Sequence, residues 1–244
     1  VLNSAPTVGQ LTIIPNLAEV GVSYMTIKAN ITDPNGIPGD FGTAIATYND
    51  GTIDIISVNL VYNSTSGLYE NNTFQIPAQS LLGLWTVTVN GTDTGGLWDT
   101  NSTTFTVQDT VSPIVSNLLP ANDTNYPLST NVPLSIVITD NGTIDTAKIT
   151  IMGPGSGLPT DVILSYNSSS GKYEGTLSST FTDAAGTYNM TTYVNDTGGN
   201  EGNVLKGYFT IGDIINPVIN SIDAQPNPVD PGQTLNLTAN VTDN

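Results

Sequence analysis

The chain has 244 residues, with 4 Lys and Arg against 21 Asp and Glu, a formal charge of −17, and neither His nor Cys. So few cations argue against phosphate neutralisation on nucleic acid and against docking on an anionic membrane. The missing cysteines exclude a disulfide framework and a thiolate metal site. Thr, Ser, Asn and Gly are abundant and the apolar set is rich in β-branched residues, an all-β composition. No run of about 18 apolar residues offers a membrane span. The abrupt start at Val1, without a visible signal peptide, reads as a mature or excised piece.

Taken in order, the first stretch predicts seven short strands near residues 7–14, 23–32, 44–48, 53–62, 67–76, 84–90 and 103–108. The next predicts seven more near 114–119, 132–139, 146–152, 161–166, 172–178, 187–195 and 204–211. Turn clusters separate them, among them Asp33-Pro34-Asn35-Gly36, Asn141-Gly142 and Gly153-Pro154-Gly155. Two more strands follow before Asn244. No segment carries a helical period.

The elements repeat. Tyr62–Glu70 (YNSTSGLYE) matches Tyr166–Glu174 (YNSSSGKYE), and Gly83–Gly96 (GLWTVTVNGTDTGG) matches Gly186–Gly199 (GTYNMTTYVNDTGG). Phe105 and Asp109 recur as Phe209 and Asp213, and Pro6, Pro113 and Pro217 open similar segments. A fixed period of this kind marks a tandem array. We therefore expect one domain over 1–109, a second over 110–213, and over 214–244 the first two strands of a third, either truncated or acting as a donor segment for a neighbour. About seven strands in about 100 residues predicts an immunoglobulin-like β-sandwich for each complete unit. Alternation assigns the core faces: Met25, Ile27, Ala29 and Ile31; Trp85, Val87 and Val89; Leu134, Ile136 and Ile138; Tyr188, Met190, Thr192 and Val194; Leu235, Leu237, Ala239 and Val241.

The pattern D-x-x-G-x-Y at Asp183, Gly186 and Tyr188, before an alternating strand that closes on NDTGGN, resembles the immunoglobulin-like repeats of bacterial and archaeal cell-surface proteins. The resemblance extends over nearly the whole chain. It implies a component of a surface layer, a surface filament or an adhesin stalk. The first copy departs from the pattern, with Ser80-Leu81-Leu82 before the glycine and Trp85 in place of the tyrosine. Tyr188 is placed for a tyrosine-corner hydrogen bond to nearby backbone or for simple core filling.

Twelve Asn-x-Ser/Thr sequons predict N-linked glycans: Asn30, Asn63, Asn71, Asn90, Asn101, Asn122, Asn141, Asn167, Asn189, Asn195, Asn236 and Asn240. Those inside predicted strands (Asn30, Asn90, Asn189, Asn236 and Asn240) fall on the outward parity. Glycosylation requires an export route, hence an extracellular or cell-surface location.

Aspartates recur at strand ends. In a tandem array the chain leaves one sandwich near the loops that follow the second and sixth strands of the next. Asp109 is thereby expected beside Asp140, Asp145 and Asp196, with Asp213 and Asp243 beginning the same arrangement again. Clustered carboxylates repel unless a hard divalent ion relieves them, and calcium takes such oxygen ligands. The plainer reading is that Asp favours turns for its own hydrogen bonds.

Catalysis finds little support, because no His general base or Cys nucleophile is present and no acidic pair stands out from the repeated turn positions. The leading expectation is a structural, self-assembling, glycosylated surface protein that binds itself and divalent cations. The rival is an adhesin or carbohydrate-binding module, with Trp98 in the sixth–seventh strand loop as its exposed aromatic.

Overall fold

The computed structural model describes residues 3–36, 42–52, 55–154, 157–214 and 216–243. The strand start expected at Ile53 and the Gly155 end of the expected turn lie outside these residues.

The described chain is built of strands, with one three-residue 3₁₀ turn at Ser179–Phe181. The first repeat contains β1 (Thr7–Ile14), β2 (Leu17–Glu19), β3 (Tyr24–Thr32), β4 (Gly42–Asn49), β5 (Ile55–Asn59), β6 (Val61–Asn63), β7 (Leu68–Gln75), β8 (Gly83–Asp93) and β9 (Trp98–Gln108). They form a four-stranded sheet, β1-β3-β7-β6, and a five-stranded sheet, β2-β9-β8-β4-β5.

The second repeat contains β10 (Ile114–Leu119), β11 (Thr124–Tyr126), β12 (Val132–Thr139), β13 (Ile144–Met152), β14 (Thr160–Ile163), β15 (Ser165–Asn167), β16 (Lys172–Leu177), β17 (Gly186–Asp196) and β18 (Lys206–Ile211). It reproduces the layout as β10-β12-β16-β15 and β11-β18-β17-β13-β14. β19 (Val218–Gln225) and β20 (Asn236–Thr242) form a separate two-stranded sheet.

Among the described residues each repeat has nine strands where about seven were expected. The expected fourth strand of each repeat splits, at Leu60 and Leu164, whose backbones turn aside to bond Ala44 and Ala147. The three-residue strands β2 and β11 were invisible to periodicity, being too short to alternate. Each arises where a proline ends pairing with the first sheet. Pro15 and Pro120 lack the N–H that would continue the ladder. The chain then crosses over and pairs in parallel, β2 with β9 and β11 with β18.

The first core follows the alternation. Met25, Ile27, Ala29, Trp85, Val87, Val89, Phe105 and Val107 are buried between the two sheets. Tyr48 stacks on Phe74 at 4.1 Å and meets Phe105 edge-on at 6.1 Å, so an aromatic cluster spans the sandwich. In the second repeat Leu134, Ile136, Ile149, Tyr188, Met190, Thr192 and Phe209 are buried. Tyr188 stacks on Phe209 at 5.2 Å.

The two corner residues are equivalent despite their different chemistry. The Tyr188 hydroxyl donates to Ala184 O at 2.9 Å, and Trp85 Nε1–H donates to Leu81 O at 2.9 Å. Each reaches back four residues. The tryptophan therefore makes the corner bond as well as filling core.

β19 and β20 repeat the register of β1 and β3. Val8, Leu11 and Ile13 pair with Ile31, Ala29 and Ile27, and Ile219, Ile222 and Ala224 pair with Val241, Ala239 and Leu237. Both first strands carry a bulge at the same step. The face that is core in β3 is exposed in β20, at Leu237 and Val241.

By packing, the chain divides into two compact units. One comprises Val1–Ile114, Thr139–Thr146 and Val194–Asn203; the other comprises Val115–Ile138, Ala147–Tyr193 and Val204–Asn244. No helix among the described residues is long and apolar enough to cross a membrane.

Candidate functional site

Within the first compact unit, Asp109, Asp140 and Asp196 converge. Asp109 follows β9, Asp140 follows β12, and Asp196 ends β17. One carboxylate oxygen from each lies within 4.8 Å of the others. Asp109 and Asp196 are 5% and 1% exposed.

Backbone and amide groups hold the carboxylates in place. Asp196 Oδ1 accepts from Asn200 N, and its Oδ2 accepts from Asn200 Nδ2, both at 2.9 Å. The same Asn200 amide also reaches Asp109 O at 3.0 Å. Asp109 Oδ1 accepts from Val111 N at 3.1 Å. Glycines admit the close approach. A Cβ on Gly142 would collide with Asp109 Oδ2, and one on Gly198 would sit 2.6 Å from Asp109 O. Glu19 closes one side by accepting from Thr110 N at 2.5 Å and Thr110 Oγ1 at 3.1 Å.

The remaining oxygens are under-satisfied. Asp109 Oδ2 and both carboxylate oxygens of Asp140 are buried without a hydrogen-bond partner. Burial raises the Asp109 carboxyl above its ordinary range, with Asp196 and Glu19 adding repulsion. Burial likewise raises Asp140, reinforced by the charges of Asp109 and Asp196. Unpaired buried carboxylates are costly. An all-oxygen, triply acidic donor set suits a hard divalent cation such as calcium, with Asp109, Asp140 and Asp196 as the protein ligands.

Asp93, the first-repeat counterpart of Asp196, has no such need. Its Oδ1 accepts from Gly95 N and Leu97 N, and its Oδ2 accepts from Asn3 Nδ2 at 2.9 Å. Asp196 is satisfied in a similar way by Asn200, so the trio's unpartnered oxygens are those of Asp109 and Asp140.

The other expected ligands stand outside the trio. Asp145 is exposed, with its Oδ2 accepting from Thr146 Oγ1 and Asn195 Nδ2. Asp213 and Asp243 are exposed. Glu19 was missed because it lies in β2, the strand too short to announce itself.

None of the twelve sequon asparagines is buried. Asn30, Asn63, Asn101, Asn122, Asn167, Asn189, Asn236 and Asn240 are exposed, and Asn71, Asn90, Asn141 and Asn195 are half-buried. Asn63 and Asn167 donate to Glu70 and Glu174 in matching hairpins that also bind Ser66 and Ser170. Trp98 opens strand β9 instead of lying in a loop, and it is 62% exposed.

No family model matches the sequence, and no curated protein does. Among solved structures, the chain is similar to a tetra-tandem repeat in the extending region of a large adhesion protein. The identity is 17%, the match covers 92% of this chain and 55% of that one, and the TM-score is 0.50. The chain thus spans about half of that structure's length. Fibronectin(III)-like modules of Clostridium thermocellum CbhA match at 12% identity over 83% of this chain and 94% of theirs, with a TM-score of 0.30. A chimeric titin Z1Z2 matches at 15% identity over 86% and 97%, with a TM-score of 0.31. The fold is that of tandem immunoglobulin-like β-sandwiches.

Proposed function

We propose that the chain is a structural, non-catalytic segment of an extracellular cell-surface protein. In this reading its sandwiches bear N-linked glycans and hold a divalent cation at Asp109, Asp140 and Asp196. The carboxylate trio carries the reading: of its three buried or half-buried acids, Asp109 and Asp140 keep unpartnered oxygens, and charges so placed are favoured at neutral pH by a cation or by protons. Bound there, an ion fastens the segments Thr139–Thr146 and Val194–Asn203 to the end of β9. The likeness to an adhesion protein's extending region favours a stalk; self-association of copies into a layer or filament is the finer form of the same reading. The acidity of the chain keeps such a surface hydrated.

Calorimetry with calcium against chelator tests the cation. A calcium-dependent rise in thermal midpoint that Asp109→Asn abolishes supports it, and an identical midpoint in chelator overturns it. Electron micrographs of the native assembly separate isolated stalks from a layer or fibre.

The exposed ring of Trp98 favours a second reading, a carbohydrate-binding surface. Binding on a glycan array that Trp98→Ala abolishes supports it; an array without signal rejects it.

A further inference from the structure

The sequons differ in exposure and also in what the side-chain amide nitrogen already holds. Asn101 lies on β9, where strand β1 runs alongside without a continuous backbone ladder. Its Nδ2 donates to Gly9 O at 2.6 Å and to Val8 O at 3.3 Å. Those carbonyls stand at the β1 bulge, between the pairs Val8↔Ile31 and Leu11↔Ala29. Asp99, two residues earlier on the same strand, accepts from Val8 N at 2.8 Å. Two β9 side chains thus replace the missing ladder. Asn71 serves a second bulge, where β7 carries one extra residue opposite Met25–Ile27. Its Nδ2 donates to Asn59 O at 3.1 Å, and its Oδ1 accepts from Thr73 N and Phe74 N.

Asn30, Asn189, Asn236 and Asn240 differ. All four are exposed and sit on strands, with their sequon threonines on the same face. None has a side-chain hydrogen bond among the described residues. Asn30 and Asn240 occupy equivalent positions of the repeated strand pair, since their neighbours Ala29 and Ala239 pair with Leu11 and Ile222.

We propose that the folded chain sorts its own sequons, resting on the glycosylation reading above: Asn30, Asn189, Asn236 and Asn240 accept sugar, and Asn71 and Asn101 are reserved as bulge staples. Transfer forms a bond between Nδ2 and the anomeric carbon of an activated glycosyl pyrophosphate. The anomeric C–O bond breaks, the pyrophosphate leaves with the electron pair, and the amide proton passes to a base of the transferase. At Asn101 the amide nitrogen donates to two carbonyls, so the substitution disrupts the staple. At the four free sites it removes nothing.

Site-resolved glycopeptide mass spectrometry on the protein from its native cells is the test. Sugar is expected at Asn30, Asn189, Asn236 and Asn240 and absent from Asn71 and Asn101. Sugar at Asn101 or Asn71 overturns the sorting while leaving glycosylation intact; sugar at no sequon overturns the glycosylation reading itself. On unglycosylated recombinant chain, Asn101→Ala is expected to lower the thermal midpoint by about 3 °C or more, and Asn189→Ala to leave it unchanged. Equal midpoints for the two variants overturn the staple role.

Discussion

At the scale of single residues, Asp109 shows how one side chain changes meaning with its neighbours. Asn3 fills the comparable place beside Asp93 with an amide donor, whereas Asp109 brings a third negative charge to Asp140 and Asp196. With the proposed cation site, Asp109→Asn is expected to have opposite effects in two solutions. In chelator it removes repulsion and raises the thermal midpoint; in calcium it removes a ligand and erases the ion's stabilisation. Scanning calorimetry in both buffers reads the crossover. Gly142→Ala, which forces a methyl against the Asp109 carboxylate, lowers stability in both.

The pH response of the ion-free chain has a definite sign. Asp109 and Asp140 are raised in the fold, so protons bind the folded state more tightly than the unfolded one. Stability in chelator then rises as pH falls from neutral towards the ordinary carboxylate range. Glu70 and Glu174 are lowered, chiefly by their Ser66 and Asn167 hydrogen bonds, and their contribution is lost only further into acid. Thermal melts in chelator across that range check the direction, and saturating calcium flattens the rise.

At the scale of elements, β8 and β17 each carry a corner bond within their own sandwich, and the two bonds differ in chemistry. Tyr188→Phe keeps the stacked ring on Phe209 and loses the bond to Ala184 O, a cost of about 1 kcal/mol. Trp85→Ala loses the ring as well as the bond to Leu81 O, and the cavity raises the cost to about 3–5 kcal/mol. Denaturant unfolding of the two variants measures both. At Tyr188 the corner was one of two sequence readings, beside simple core filling, and the ring does both. At Trp85 the bond was hidden, because an indole reads first as core filler.

At the scale of the whole molecule, a cation that binds only the folded form stabilises it by mass action, about 2.7 kcal/mol at a hundredfold excess over its dissociation constant. Asp109 and Asp140 follow β9 and β12 and Asp196 ends β17, so an ion bound by all three would fasten chain segments far apart in sequence. Limited proteolysis between Thr139 and Thr146 is accordingly expected to slow in calcium and speed in chelator. Equal cleavage rates in the two buffers reject that coupling.

The sequence by itself determined the main strand faces of the two complete sandwiches, the repeat and the sandwich class. Period-two alternation needs only local geometry, and Trp85, Val87, Tyr188 and Met190 went inward as their spacing required. It also indicated that Asp109 should approach Asp140 and Asp196, since tandem order alone brings one sandwich's exit near the next one's loops. Only the tertiary structure decided which carboxylates meet. Asp145 turns to Asn195 and Thr146, Glu19 arrives on a strand of three residues, and Asn3 satisfies Asp93. Hydrogen-bond partners at |i−j| near 90 leave no local period in the chain, so their choice of donor became visible only once the sheets were closed.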